Sequence, residues 1–434
     1  MNDPVAKPSR ASDCDAELAQ ARADYAKLQA ESKARTENLE SEIREWKSRA
    51  HELGAVWSKA TRWKRALVFC GAAPLDWAMG ILLILTELLA RGLCRLSRVP
   101  APQFAVTDFR HCSIVIVTWR GKDLLTESLP PLMRALRRHG AAHQVIVVDN
   151  ASADGTQEYL TEQFPNIKVI SSHRNEFYGG GNNLGVQEAQ NGIVVLLNND
   201  MIVDEDFLEP LLAAFRDPDV FAVASQVFLG DALKARQETG KTRARFNGCE
   251  LDWGHDPISS GDEQRGYVPV FWGHGGAVAV NRQKFLWLGG FDRLYDPFYV
   301  EDADLSYRAW KVGWRCVLAV HSRVIHKHRS STSRFGAQFV NQIVRRNHTV
   351  FLYKNFNDIG LLTRHFLRAY RARIQQAGVP GVGIRLELRA WLGAAKRLPA
   401  IIARRLAMAR SIVRSDREIL ESTDPQTDQP VAPG

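Results

Sequence analysis

The chain predicts an α/β fold built on a mostly parallel sheet. Three observations carry that expectation. Short apolar, β-branched runs recur through the middle of the chain: SIVIVT, VIVVD and IVVLLN. Segments with helical spacing separate them. The last two runs end in polar residues, Asp149-Asn150 and Asn198-Asn199-Asp200. Runs that are apolar throughout read as strands buried on both faces. Strands alternating with helices give a parallel sheet with helices on both sides. Ligands of such sheets bind at the carboxyl ends of the strands. The polar ends are therefore where chemistry is sought first.

Taken in order, CSIVIVTW opens the domain as a buried strand, and LLTESLPPLMRALRRH follows as a helix. HQVIVVDN is the second strand and ADGTQEYLTEQF a second helix. IKVISS is a short strand, NNLGVQEAQ a helix start, and NGIVVLLNND the next strong strand. After Phe339 the strand pattern stops. Residues 361–420 hold 13 Lys or Arg against 3 Asp or Glu, with Leu, Ile, Ala and Trp between them. They read as basic amphipathic helices. These could lie on an anionic membrane face or pack on the preceding domain.

The chain has 434 residues, 45% hydrophobic and 24% charged, with a net charge of +9. That mix excludes wholesale disorder and collagen-like structure. Cysteines lie at 14, 70, 94, 112, 249 and 316, and no pair forms CxxC. Neither a disulfide scaffold nor a thiolate zinc site is signalled, so reduced thiols and a cytoplasmic setting are expected. The first 60 residues are polar, and no secretory signal is read there. No nucleic-acid motif accompanies the basic residues, and no nucleic-acid partner is expected.

The expected organisation has six parts. Residues 1–13 form a disordered leader. Residues 14–60 form a coiled-coil helix, since Leu18, Tyr25, Leu39, Trp46 and Leu53 share a stripe of seven-residue spacing. Ser32 interrupts that stripe, so a solvated single helix is the rival reading. A homo-oligomer or a docked partner would follow from the coiled coil. Residues 61–110 are an apolar segment that packs or associates with a membrane. By length, 66–93 could span a bilayer, but Pro74, Asp76 and Glu87 interrupt it. An in-plane or hairpin segment and a buried helix are the alternatives. Residues 111–337 form the catalytic domain, 338–420 the basic helical region, and 421–434 a disordered tail with three prolines.

Three acidic groups carry the chemistry. Asp149 ends a strand before a tight turn, where it could face a base or ribose, or merely cap the turn. Asp200 ends another strand with Asn198 two residues before it, a set that suits a hard divalent cation. Glu301, Asp302 and Asp304 begin a helix, where the dipole favours anions and one carboxylate could act as a base. His326 and His328 follow an apolar run and could join a metal site. Gly179-Gly180-Gly181 would let backbone approach a ligand. The absence of GxGxxG and of a P-loop counts against dehydrogenases and NTPases.

In this order the segments resemble family 2 glycosyltransferases with a GT-A fold, over roughly residues 111–335. VIVVDNASADGT resembles the nucleotide-binding turn. NEFYGGGNNLG is similar to the glycine-asparagine segment of rhamnosyltransferase-like members. LLNND stands at the metal-binding DxD position. EDADLSYRAWKVGW resembles the catalytic ED motif, and VIHKHRSS the later metal-binding histidine.

The resemblance implies roles. Asp149, Thr118, Ser152, Asn182 and Asn199 would bind the nucleotide donor. Asp200, with Asn198 and His326, would hold Mg²⁺ or Mn²⁺, and His328 is the rival of His326. Asp302 would be the base, with Glu301 contacting the acceptor. Trp272 and His274 would line the acceptor pocket. There are three departures: Trp119-Arg120 replaces the usual aromatic-Asn, Asn198 replaces the first DxD aspartate, and Phe177 stands where a glycine usually precedes the aromatic of the glycine-rich segment.

The implied activity is inverting, metal-dependent sugar transfer from a UDP- or dTDP-sugar, rhamnose being the favoured sugar. The acceptor would be a growing surface polysaccharide or lipid-linked glycan, met at the inner membrane. A non-catalytic assembly protein of the same fold is one alternative. A nucleotidylyltransferase is the other, although GKDLLTESL lacks the glycine-rich basic loop expected of one.

Overall fold

A computed structural model describes residues 62–92, 99–229, 239–327, 335–379 and 381–424. The expected leader, the coiled-coil helix, His328 and most of the tail lie outside the described residues. The described residues from Leu67 onward form one compact unit.

Helix α1 runs Arg62–Gly92. The expected alternation follows as β1 (Ser113–Thr118), α2 (Lys122–His139), β2 (Gln144–Asp149), α3 (Thr156–Gln163), β3 (Lys168–Ser171), α4 (Phe177–Glu188) and β4 (Ile193–Asn198). Next come β5 (Met201–Val203), α5 (Leu208–Ala213), β6 (Val220–Leu229), β7 (Thr242–Phe246), β8 (Leu251–His255), α6 (Ser260–Arg265) and β9 (Tyr267–Pro269). Then follow β10 (Ala277–Asn281), α7 (Arg282–Trp287), α8 (Glu301–Lys311) and β11 (Arg315–His326). Five helices end the chain: α9 (Ala337–Asn355), α10 (Ile359–Gln376), α11 (Gly383–Ala395), α12 (Leu398–Ala409) and α13 (Asp416–Ser422).

Among the described residues one nine-stranded sheet runs β3-β2-β1-β4-β10-β6-β11-β5, with β9 also on β11. Strands β3, β2, β1 and β4 are parallel. Strand β10 is antiparallel to both its neighbours, while β6 and β11 are parallel to each other. Successive residues of β1 feed opposite faces: Val115 enters one core, Ile114 and Ile116 the other. Register sets Thr118 beside Asp149 and Val117 beside Asn198. The polar ends singled out above thus share one edge of the sheet.

The glycine-rich segment departs from expectation. Helix α4 begins at Phe177, so Gly179-Gly180-Gly181 lie inside it. Their role is packing rather than ligand approach. A Cβ at Gly181 would sit 2.6 Å from Val117 Cγ1, and one at Gly185 would overlap Val115. The missing side chains let α4 press on β1.

Two of the C-terminal arginines, Arg373 and Arg405, are spent inside the protein. Arg373 pairs with Asp76 of α1, and Trp391 Nε1 donates to the same carboxylate at 2.9 Å. Arg405 pairs with Glu87 at 3.0 Å. The two carboxylates that interrupt the apolar run are therefore anchors of α1 on the C-terminal helices. Lys354 of α9 reaches both oxygens of Asp304 at 2.8 Å.

Candidate active site

A cavity of about 380 Å³ opens at the carboxyl ends of β1 and β4. Asn198, Asn199, Asp200, His274, Glu301, Asp302 and His326 line it. They come from four separate parts of the chain, brought together by the sheet order.

One wall is β4, its following turn and the end of β11. His326 Nε2 lies 3.2 Å from Asp200 Oδ2. The Lys327 N–H donates to the Asp200 carbonyl at 3.1 Å, which ties the two segments at backbone level. Asn199 Nδ2 donates to Thr118 Oγ1 at 2.9 Å, joining β4 to β1. Among the described residues no three His, Cys, Asp or Glu side chains converge as a ready-made metal cage. The donor set still fits a hard divalent ion. Mg²⁺ and related ions often take one or two protein ligands and fill the rest with water and phosphate oxygens. Asp200 supplies the carboxylate, and His326 with an amide oxygen of Asn198 or Asn199 could add to it.

The opposite wall is the start of α8. Asp302 Oδ2 accepts the Gly275 N–H at 3.0 Å, and Oδ1 accepts the Ala303 N–H at 2.8 Å. Burial raises the Asp302 pKa above the ordinary aspartate range, while these two N–H groups hold it down. Glu301 is pushed well above its ordinary value, first by burial and then by the charge of Asp302. Its Oε2 is buried without a hydrogen-bond partner. Burial thus works against charge on both acids, most strongly on Glu301. Asp304, the third acid of the group, turns away. It is held by Tyr295, Arg308, Lys354 and Asn355, and its pKa stays below the usual range.

The backbone around the cavity is strained. Among the described residues the non-glycine positions with positive φ are Arg120, Ala151, Ala153, Phe177, Tyr299 and Val300. All stand at the cavity or in the loops leading to it. Val300, β-branched at φ 77°, caps α8 directly before Glu301. Strain of this kind is retained where the surroundings over-determine it, often at functional sites. Here α9 does the holding. Asn347 Nδ2 is within 2.9 Å of the carbonyls of Tyr295, Phe298 and Tyr299.

Other expected residues sit behind the cavity wall. Asp149 Oδ1 accepts the Ser152 N–H at 3.0 Å, and Ser152 Oγ accepts the Arg120 N–H at 2.9 Å. Both side chains are buried, as is Thr118. Asn182 donates along its own helix to the Tyr178 carbonyl at 3.0 Å. Trp272 does not reach the cavity. It is core, its backbone bonded to the Thr242 hydroxyl and its ring packed edge-on to Trp253.

Sequence reasoning missed Tyr178, whose hydroxyl donates to the Gly275 carbonyl at 2.5 Å on the Asp302 side. It also missed Asn175 on the wall, whereas Asn150, at the polar strand end singled out above, does line the cavity. Trp119, Phe298, Tyr299 and Phe335 make an aromatic wall of the cavity, with Trp119 and Phe335 stacked at 6.4 Å. Tyr178 lay inside the quoted NEFYGGG segment, but no local pattern marks the aromatic wall.

A sheet of this order, with its cavity at the carboxyl edge, is the GT-A fold of glycosyltransferases. The family model for Glycosyl transferase family 2 matches residues 113–283, and the chain carries a family 2 glycosyltransferase domain. It is similar to N-acetylglucosaminyl-diphospho-decaprenol L-rhamnosyltransferase of Mycobacterium tuberculosis, 29% identical over 241 residues. That match takes in 51% of this chain and 77% of the relative. Polypeptide N-acetylgalactosaminyltransferase 11 of Xenopus tropicalis is 26% identical over 196 residues, 42% of this chain and 32% of that protein. Among solved structures, GalNAc-T7 with UDP, GalNAc and Mn²⁺ superposes with a TM-score of 0.51 at 17% identity. It covers 74% of this chain and 57% of that one. The chain is a glycosyltransferase.

Proposed function

We propose that the enzyme inverts the anomeric centre of a UDP- or dTDP-sugar as it transfers the sugar to a hydroxyl of a growing surface polysaccharide or lipid-linked glycan. Rhamnose is the favoured sugar, by similarity to the mycobacterial rhamnosyltransferase. The observation that carries the reading is the opposition of Asp200–His326 and Asp302 in one cavity.

The attacking hydroxyl gives its proton to Asp302 as its oxygen bonds to the anomeric carbon. The bond from that carbon to the diphosphate breaks, and the nucleoside diphosphate leaves on the opposite face. One base and no protein nucleophile give inversion. Mg²⁺ or Mn²⁺, when bound, would neutralise charge on the leaving diphosphate, held by Asp200 and His326 with Asn198 or Asn199. Glu301, which lines the cavity beside Asp302, would contact the acceptor. Thr118, Asp149, Ser152 and Asn182 shape the loops and helix behind the nucleotide end. His274 and the aromatic wall would border the acceptor. We further place the enzyme at the cytoplasmic face of the inner membrane, where a lipid-linked acceptor would be met; the apolar surface of α1 supports this.

The test is a panel of UDP-, dTDP- and GDP-sugars with Mg²⁺ or Mn²⁺, reading bound nucleotide and released diphosphate for wild type and Asp302→Asn. Turnover of one donor, lost in Asp302→Asn while nucleotide binding persists, is the expected result. Pyrophosphate as the released product, or no metal-dependent binding on folded protein, would overturn it.

A further inference from the structure

Helix α1 is amphipathic in the reverse of the usual sense. From Leu67 to Leu89 its charged residues are Asp76 and Glu87, and both face inward to Arg373 and Arg405. The outward face of that stretch carries no charge. Leu67, Leu75, Ile81, Leu85, Leu88 and Leu89 are each 49–80% exposed. At 1.5 Å per residue the stripe is about 33 Å long. A surface helix in water would show polar residues there.

The ends of the stripe are basic. Helix α10 runs antiparallel to α1 on its inward side: Asn357 meets Glu87, Phe366 meets Gly80, and Arg373 meets Asp76. Arg91 closes one end of the stripe, and Arg62, Lys64 and Arg65 precede it in sequence. A second copy on this face would bring arginines towards arginines. Anionic headgroups around buried acyl chains complement it instead.

We infer that α1 lies in the plane of an anionic bilayer, with its leucine face among the acyl chains and the basic residues at its two ends at the headgroups. This rests on the membrane placement proposed above and names the surface that makes the contact. Crossing is disfavoured because it would pull Asp76 and Glu87 from their arginines into hydrocarbon.

Flotation of the full chain with vesicles tests it, using phosphatidylcholine alone and phosphatidylcholine with a third phosphatidylglycerol. Wild type should float with the anionic vesicles. Leu85→Lys, and separately Ile81→Lys with Leu88→Lys, should weaken that binding roughly ten-fold or more. Nucleotide binding by the same variants reports the fold and does not depend on lipid. Absent vesicle binding by wild type would overturn the inference, as would unchanged binding by the lysine variants. A dimer-to-monomer change in light scattering without loss of vesicle binding would assign the face to a second copy. Probes on single cysteines at 75, 81 and 88, with the exposed native cysteines replaced by serine, give the orientation. Equal quenching by brominated lipid is expected, and depth changing steadily along the helix would mean a span and overturn the in-plane reading.

Discussion

Asn347 donates its side-chain amide to the Tyr299 carbonyl at 2.8 Å, two residues before Glu301 in sequence and on a helix that follows the catalytic strands. The strained turn into the acid pair is thus held from outside the segment that carries it. Replacing Asn347 with Ala frees the carbonyls of Tyr295, Phe298 and Tyr299. Stability should fall by about 1–3 kcal/mol. The rate of transfer should fall further than donor affinity, because the displaced groups lie on the acceptor side. Thermal melts with kcat and KM measured separately check both.

Asp302→Asn should lower transfer by about 10²–10⁴-fold if the carboxylate is the base. Its raised pKa sets the direction of the pH profile. Transfer should fall as pH drops through a value above the ordinary aspartate pKa, because the base is then protonated. An acid limb at or below the ordinary value would show that another group carries the proton.

Glu301→Gln should help stability while harming transfer. The carboxyl of Glu301 is raised in the folded state. Its stabilising contribution is therefore complete below the unfolded pKa and is lost as pH rises through the folded one. Glutamine suffers no such loss. The Tm of Glu301→Gln minus that of wild type should grow from about pH 4 to pH 8. A constant difference would place the side chain in a setting that does not oppose its charge.

Asn198→Asp restores a second carboxylate beside Asp200. More ligand charge should lower the Mn²⁺ concentration for half-maximal activity several-fold. His326→Ala should move it the other way. Titration of activity with Mn²⁺ and Mg²⁺ reads both changes.

Breaking the Asp76–Arg373 pair from one side leaves a buried charge alone. Arg373→Met should destabilise by about 3–5 kcal/mol, and the pair Asp76→Leu with Arg373→Met by much less than the sum of the singles. Chemical denaturation of the four proteins in the cycle measures the coupling.

The parallel strands and the edge where their polar ends meet were legible because burial on both faces leaves an apolar run that needs no partner to be recognised. Asp200, His326 and Asp302 could be singled out one at a time for a related reason: each lies at or just beyond the end of a strand or in the first turn of a helix. Tyr178, Phe335 and Asn347 could not. Their contacts join positions far apart in the chain, and a lone tyrosine, phenylalanine or asparagine has no local signature. Gly181 misled, since a residue without a side chain suits a close helix as well as a close ligand, and Val117 decides between them. Asp76 and Glu87 read as flaws in an apolar run because Arg373 and Arg405 lie about three hundred residues away.

Asp304 has a consequence for anyone moving parts of this enzyme. It sits two residues beyond the expected base, yet its charge is balanced by Lys354, and Asn355 bonds the same oxygen. The family match ends at residue 283, before either partner. A chimera that exchanges the acid-bearing helix alone would keep Arg308 but lose Lys354 and Asn355, leaving the buried Asp304 one cation and one amide short. The transplantable module is α8 together with α9, and a graft cut at the homology boundary would leave both behind.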